Sequence, residues 1–285
     1  MLADAIRSEA YRLTRNRTVL SWSLIFVPVV MLAGTIGGAV FDSRVERMGE
    51  QLPPQLTAAN GVLDVGAALV SAASQLANPG LLAFLLIGAA TIFAGDYRWE
   101  TWRLITARNS RANLIMGKAG AVKLMTLIGL LLFLAAALIG AVAKGLILDR
   151  DLVFAFDAEK AGNFGLLFLL AYVRVIQFLL LSLLAATLTR SLLAALFVPL
   201  VVGVAQELLV TATPLLGWSS VDWQTLLLFP GVAYETLKAV ILGGVPAAVL
   251  QEGVAWRAVA SLALWSFLPF GLSLWRFSRQ DLSKE

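Results

Sequence analysis

The apolar positions of this chain fall into six long runs, at about 20–41, 79–94, 121–143, 164–188, 192–213 and 258–275. A bilayer core of about 30 Å needs roughly 20 apolar residues in helical form, so each run reads as a transmembrane helix. The second is short. Asn78 then Pro79 gives it a capping residue and a first helical position, so it is expected to begin abruptly and run on through Gly95. Ahead of the first run, Leu2, Ile6, Ala10 and Leu13 recur every three or four residues with arginines between them. That is the pattern of an amphipathic helix lying on the membrane surface, over residues 1–18. An ordinary lead-in helix is the alternative. Gly34 and Gly38, in the first run, have the spacing that lets two helices approach closely, read here as packing within the chain.

Between the fifth and sixth runs, residues 217–257 hold shorter apolar pieces, "TLLLFPGVAYETLKAVIL" and "VPAAVL", cut by Pro230, Gly231, Gly243, Gly244 and Pro246. Neither is long enough to cross once cut. They read as re-entrant or interfacial half-helices on the outer face, entering the membrane only where protein covers their backbone ends. An added pair of spans is the weaker alternative. Without a repeat or a low-complexity linker, residues 1–285 form one domain. The expected fold is an all-α integral membrane protein: six spans, an N-terminal interfacial helix, and outer half-helices before the last span.

Composition strengthens this reading. Hydrophobic residues make up 59% of the chain and charged ones 14%, with a mean hydropathy of +0.84; soluble domains carry roughly 25% charged residues. The net charge of +4 is spread between the hydrophobic runs, with no stripe that would suit nucleic acid. With the N-terminus inside, fourteen basic residues fall on the inner segments and seven on the outer ones, leaving Arg174 within a span. The excess places both termini in the cytoplasm. The start is not read as a signal peptide, because acidic residues mix with the basic ones. Cysteine and histidine are absent, which removes disulfides, thiolate metal sites, serine–histidine triads and histidine-ligated zinc or haem.

Arg174 lies ten residues into the fourth span, where an unpaired arginine costs at least about 2.5–3.5 kcal/mol on insertion scales. Glu207 lies at nearly the same depth in the fifth span, and Gln177 one turn from Arg174. An intramembrane Arg174–Glu207 pair with Gln177 as third member is expected, acting either as a clasp between two helices or as a substrate-facing gate. The Gly117–Lys118 pair is no phosphate-binding loop, since Ala112 replaces its leading glycine and Ala119 the hydroxyl residue. No cofactor is expected in this chain; if ATP drives it, another chain binds the nucleotide and magnesium.

One long stretch looks wet: "GDYRWETWRLITARNSRANLIMGK", residues 95–118, joining the second and third spans on the cytoplasmic side. Arg98, Glu100, Arg103, Arg108 and Arg111 are interleaved with Trp99, Trp102, Leu104 and Ile105, and Glu100 can meet Arg103 along one helical face. Topology alone would explain the arginines. It leaves the two tryptophans and the break at "ARNSR" unexplained, and a short helix held beneath the membrane to fit another protein accounts for both.

The order Asp96, Tyr97, Arg98, Trp99, Thr101 and Leu104, then Ser110, Arg111 and Lys118 opening the third span, resembles the ABC-2-type permease family, the membrane subunits of ATP-driven exporters. Members commonly carry Glu where Asp96 stands and Gly where Glu100 stands. The likeness extends from the surface helix to the ending "WRFSRQDL". It implies a coupling helix at about 97–106, with Asp96, Tyr97, Arg98, Trp99, Glu100, Thr101, Trp102 and Arg103 at the junction with a separate ATPase subunit. It further implies two ATPases, a second permease copy (commonly a homodimer), a bacterial inner-membrane setting and export. The apolar interior fits a hydrophobic or amphipathic cargo. A gradient-driven transporter or channel would show more intramembrane carboxylates and an inverted repeat, neither of which is evident. An intramembrane enzyme would need a clustered base and nucleophile, for which candidates are thin.

Overall fold

The structure is a computed structural model that describes residues 2–48, 61–99, 101–102, 106, 109–244 and 253–280. Among these, six helices are long and apolar enough to cross a membrane. The elements in chain order are α1 (Leu2–Arg15), α2 (Arg17–Leu20), a π-helical stretch (Ser21–Phe26), α3 (Val27–Met48), β1 (Val62–Asp64), α4 (Val65–Ser74), α5 (Pro79–Arg98) and α6 (Arg111–Ile147). They continue with β2 (Asp151–Val153), α7 (Ala158–Thr189), α8 (Leu192–Ala212), α9 (Trp223–Leu228), α10 (Pro230–Ile241) and α11 (Val254–Arg279).

Capping residues start the spans where the sequence places them. Asn78 accepts from the Leu81 N–H at 2.9 Å with Pro79 at the first turn, and Ser110, Asp157 and Ser191 cap α6, α7 and α8 in the same way. Several spans are longer than their apolar runs. At 1.5 Å per residue the 37 residues of α6 extend about 55 Å, well past a hydrocarbon core of about 30 Å. The first span runs unbroken through α2, the π stretch and α3 to Met48. Within the π stretch, the buried Ser23 donates to the Phe84 carbonyl at 2.8 Å and seats this span on α5, against the bare backbone of Gly88.

Helices α5 and α7 form the centre of the bundle, and α3 and α8 lie outside it with most of their apolar side chains facing outward. In a membrane those side chains meet lipid. Gly34 and Gly38 have open space beyond their α-carbons, so the expected close packing within the chain does not occur at that face. Helix α1 lies across α6. A β-carbon on Gly117 would come within 2.8 Å of the Ala5 side chain, so only glycine allows this approach.

Both described ends, at α1 and Gln280, sit at one face of the bundle, the terminal face. At the opposite face β1 and β2 pair in parallel and carry α4, a short apolar helix packed on α6 and α7. The sequence reading passed over α4, although Asp64 ahead of an apolar run is a capping signal. Asp64 accepts from the Gly66, Ala67 and Ala155 N–H groups and from the Lys160 ammonium at 2.6 Å. The Lys160 bond holds this carboxyl down at about 2. The half-helices α9 and α10 pack on α11 and α7, burying Leu226, Ala233, Tyr234 and Leu237. The Trp265 indole N–H donates to the Leu227 carbonyl at 2.9 Å, covering the end of α9 as a non-spanning helix in a membrane requires. The "VPAAVL" piece lies outside the described residues.

Candidate functional site: a buried ion cluster and an intramembrane cavity

The end of α5 brings an acid into the protein interior. Asp96 is fully buried, yet three side chains surround its carboxylate. Arg12 of α1 donates through Nη2 at 2.8 Å and Nη1 at 3.3 Å, the Thr101 hydroxyl at 2.5 Å, and the Lys118 ammonium of α6 stands at 2.5 Å. Lys118 is itself buried. It donates to the Ile92 carbonyl at 2.8 Å, lies 3.4 Å from Glu9 Oε1, and sits 5.2 Å from the centre of the Trp102 ring. Arg12 bridges back to Glu9 at 3.1 Å, and its bond to Asp96 raises it above the ordinary arginine value. Two acids and two bases therefore close on each other with no net charge. That is the condition under which buried ions are tolerated, since any unmatched member would carry its full desolvation cost.

This cluster explains the burial pattern of α1. Its inner row is Ala5, Glu9 and Leu13, four residues apart and turned one position from the apolar row Leu2, Ile6 and Ala10, so an acid faces the interior. Leu2 is exposed.

A second set of contacts gathers the helix ends below it. Trp102 is buried against Phe277 and Tyr97, with ring centres 4.5 and 5.4 Å apart. Arg111 donates to the carbonyls of Phe277, Ser278 and Gln280 at 3.4, 3.0 and 2.6 Å, placing a cation on the free C-terminal carbonyls of α11. The Gln280 amide is assigned from its neighbours: Nε2 donates to the Tyr97 hydroxyl at 3.0 Å, and Oε1 accepts from Arg190 Nε at 2.7 Å. The ends of α5, α6, α7 and α11 thus meet in one polar and aromatic block.

The junction residues named from the sequence separate into two groups. Asp96, Tyr97 and Trp102 are buried and Thr101 bonds inward, whereas Arg98 and Trp99 are exposed, the guanidinium lying 5.3 Å from the Trp99 ring centre. Glu100 and Arg103 lie outside the described residues. Tyr97 and Arg98, expected at the start of a separate coupling helix, belong with Asp96 to the last turn of the span itself. The helix continues unbroken from Pro79 until Trp99 caps it. Glu9, Arg12 and Gln280 were missed, because their roles depend on neighbours 84 to 183 positions away.

Within the membrane, the Arg174–Glu207 ion pair expected from matched depth is absent. Arg174 instead donates to Gln177 Oε1 at 3.1 Å and lies 4.5 Å from the Phe178 ring centre, and Gln177 passes a bond on to the Leu262 carbonyl at 2.8 Å. Phe178 also abuts Gly203, one turn before Glu207, and so fills the space between the two helices that a direct pair would use. Arg174 and Glu207 do share one cavity, of about 940 Å³, together with Tyr234 and Glu235 of α10. No group of three or more metal-ligating side chains occurs among the described residues.

A bundle of six apolar helices tied at one end by a neutral ion cluster defines an all-α, multi-pass membrane protein. Residues 5–282 match the family described as ABC-2 family transporter protein, and the chain belongs to that family. It is accordingly a membrane permease subunit of an ABC transporter, a class that generally works with an ABC ATPase partner. Comparison with curated proteins gives no match.

Proposed function

We propose that this permease is coupled to a separate ATPase through its terminal face, and that it exports a hydrophobic or amphipathic cargo across a bacterial inner membrane. The terminal face is cytoplasmic in this reading, supported by the two-to-one excess of basic residues on that side. The observation that carries the proposal is the position of the α5–α6 connection. Arg98 and Trp99 stand exposed while Asp96, Tyr97 and Trp102, immediately beside them, are locked into the ion cluster and the aromatic block. A push on the exposed pair is therefore delivered to α1, α5, α6 and α11 together rather than absorbed by a loop. Two such chains, each with its own ATPase, would enclose the cargo path, and α8 presents an outer face with room for a second copy. The cavity at Arg174 and Glu207, apolar but for a few polar groups, suits an amphipathic cargo.

The test is co-purification with an ATPase carrying a phosphate-binding loop, followed by reconstitution in vesicles. Arg98→Glu combined with Arg103→Glu is expected to leave the complex's ATP hydrolysis in place while transport falls at least tenfold. Transport at the parental rate, or transport that persists without any ATPase, would overturn the coupling role; the second outcome would point to a gradient-driven carrier.

A further inference from the structure

A groove of about 620 Å³ runs along the outer surface of the bundle between α7 and α11, separate from the Arg174 cavity: Val173 and Leu237 line the groove, while their neighbours Arg174 and Thr236 line the cavity. Its walls are apolar: Leu169, Val173 and Ile176 on one side, Val259, Phe267 and Phe270 on the other, with α10 closing the end toward the opposite face. From Leu166 to Leu180 it follows α7 for about 21 Å at 1.5 Å per residue, the length of an extended acyl chain rather than of a compact solute. Its volume lies in the range of sites that hold one small ligand, roughly 300–1,000 Å³.

Three polar side chains reach this groove. Two are already engaged, since the Tyr172 hydroxyl donates to the Lys123 carbonyl at 3.2 Å and the Ser266 hydroxyl to the Leu262 carbonyl at 2.7 Å. The third is Lys123. Its ammonium stands 6.0 Å from the Phe270 ring centre and has no ion pair or hydrogen bond among the described residues. Its depth is set by α1, which rests on Gly117 and Gly120 of α6. Lys123 lies three residues beyond Gly120, about 4.5 Å deeper along the helix, so its long side chain can return the charge to the headgroup level. The nearest lysine on the same helix, Lys118, spends its charge on Asp96.

We propose that this groove is a binding site for one anionic phospholipid of the leaflet at the terminal face, its phosphate on Lys123 and an acyl chain along the α7–α11 wall. A cation held at headgroup depth at one end of a chain-length apolar groove matches the two halves of such a lipid in order and spacing. A zwitterionic lipid would meet the same walls, but its own ammonium would oppose Lys123. The inference does not depend on which side of the membrane the terminal face occupies.

The test uses the full-length protein purified in mild detergent and offered phosphatidylglycerol and phosphatidylcholine, with retained lipid read by native mass spectrometry. The parent protein should keep one phosphatidylglycerol in preference to phosphatidylcholine. Lys123→Gln should reduce that preference roughly fivefold, the factor one basic residue contributes at an anionic surface. Lys144→Gln, on the same helix toward the opposite face, should leave it unchanged. Ala263→Trp, which fills the groove while keeping Lys123, should lower retention of both lipids and serves if Lys123→Gln fails to give a monodisperse protein. Equal retention of the two lipids by the parent, or phosphatidylglycerol held by Lys123→Gln or Ala263→Trp as by the parent, would overturn the site.

Discussion

Replacing Lys118 by methionine removes one charge from the buried cluster while keeping the length of the side chain. Asp96, fully buried, loses its 2.5 Å ion pair, and the Ile92 carbonyl loses a donor at 2.8 Å. Glu9 keeps Arg12, and Asp96 keeps Arg12 and Thr101, but the group now carries a net negative charge in a largely buried site. Breaking a buried pair from one side costs about 3–5 kcal/mol. Arg12 is half-exposed and can shift toward the surplus charge, which places the expected loss near the lower end, about 3 kcal/mol. Adding Asp96→Leu to Lys118→Met restores neutrality and leaves the Glu9–Arg12 pair intact. The double variant should therefore be more stable than the sum of the single changes predicts, with a coupling of about 1–3 kcal/mol. Reversible unfolding of the purified protein by SDS titration in mixed micelles reads both quantities, and hydrogen exchange across α1 reports whether that helix loosens. A loss below about 1 kcal/mol for Lys118→Met, or strict additivity in the double variant, would refute the cluster as the tie between α1, α5 and α6.

Two further outcomes follow from neighbouring contacts. Trp102→Ala, which empties a fully buried site against Phe277 and Tyr97, should cost about 3–5 kcal/mol, whereas Trp99→Ala at a 71% exposed position should stay within about 0.5 kcal/mol; thermal unfolding in detergent compares them directly. At the opposite face, the Asp64 carboxyl is held at about 2 against an unfolded value near about 3.9, so its contribution is fully present above about pH 4 and is lost as pH falls toward 2. Protection of the α4 amides, corrected for intrinsic exchange, should be flat from pH 8 to about pH 5 and fall only below about pH 4; loss already at pH 6 would contradict the Asp64–Lys160 staple.

Much of the architecture is legible without coordinates because a bilayer imposes a simple length rule on apolar runs. Caps such as Asn78 and Ser110 then fix where α5 and α6 begin. The interruptions at Pro230 and Gly231 mark α10 as a piece that cannot cross. Helix α4 escaped because a ten-residue, largely apolar stretch between polar segments satisfies no spanning rule, and only its burial on α6 and α7 reveals it. The end of α5 stands out in the sequence as a polar and aromatic stretch, yet how its residues divide between interior and surface was hidden. Nothing in the local pattern separates Trp99, which faces out, from Trp102, which is buried.

The sequence by itself determined that this chain lives in a membrane, how many times it crosses, where its helices begin, and which family it resembles. These follow from properties that each segment carries alone: length, apolarity, capping and the order of a motif. Only the tertiary structure decided the partners of the charges. It gave Asp96 to Arg12 and Lys118 rather than to the surface, and Arg174 to Gln177 and Phe178 rather than to Glu207. A buried charge is satisfied by whatever group lies within about 3 Å, however far away in the chain. Matched depth on two helices fixes height but not rotation, so which faces turn toward each other is settled by packing alone.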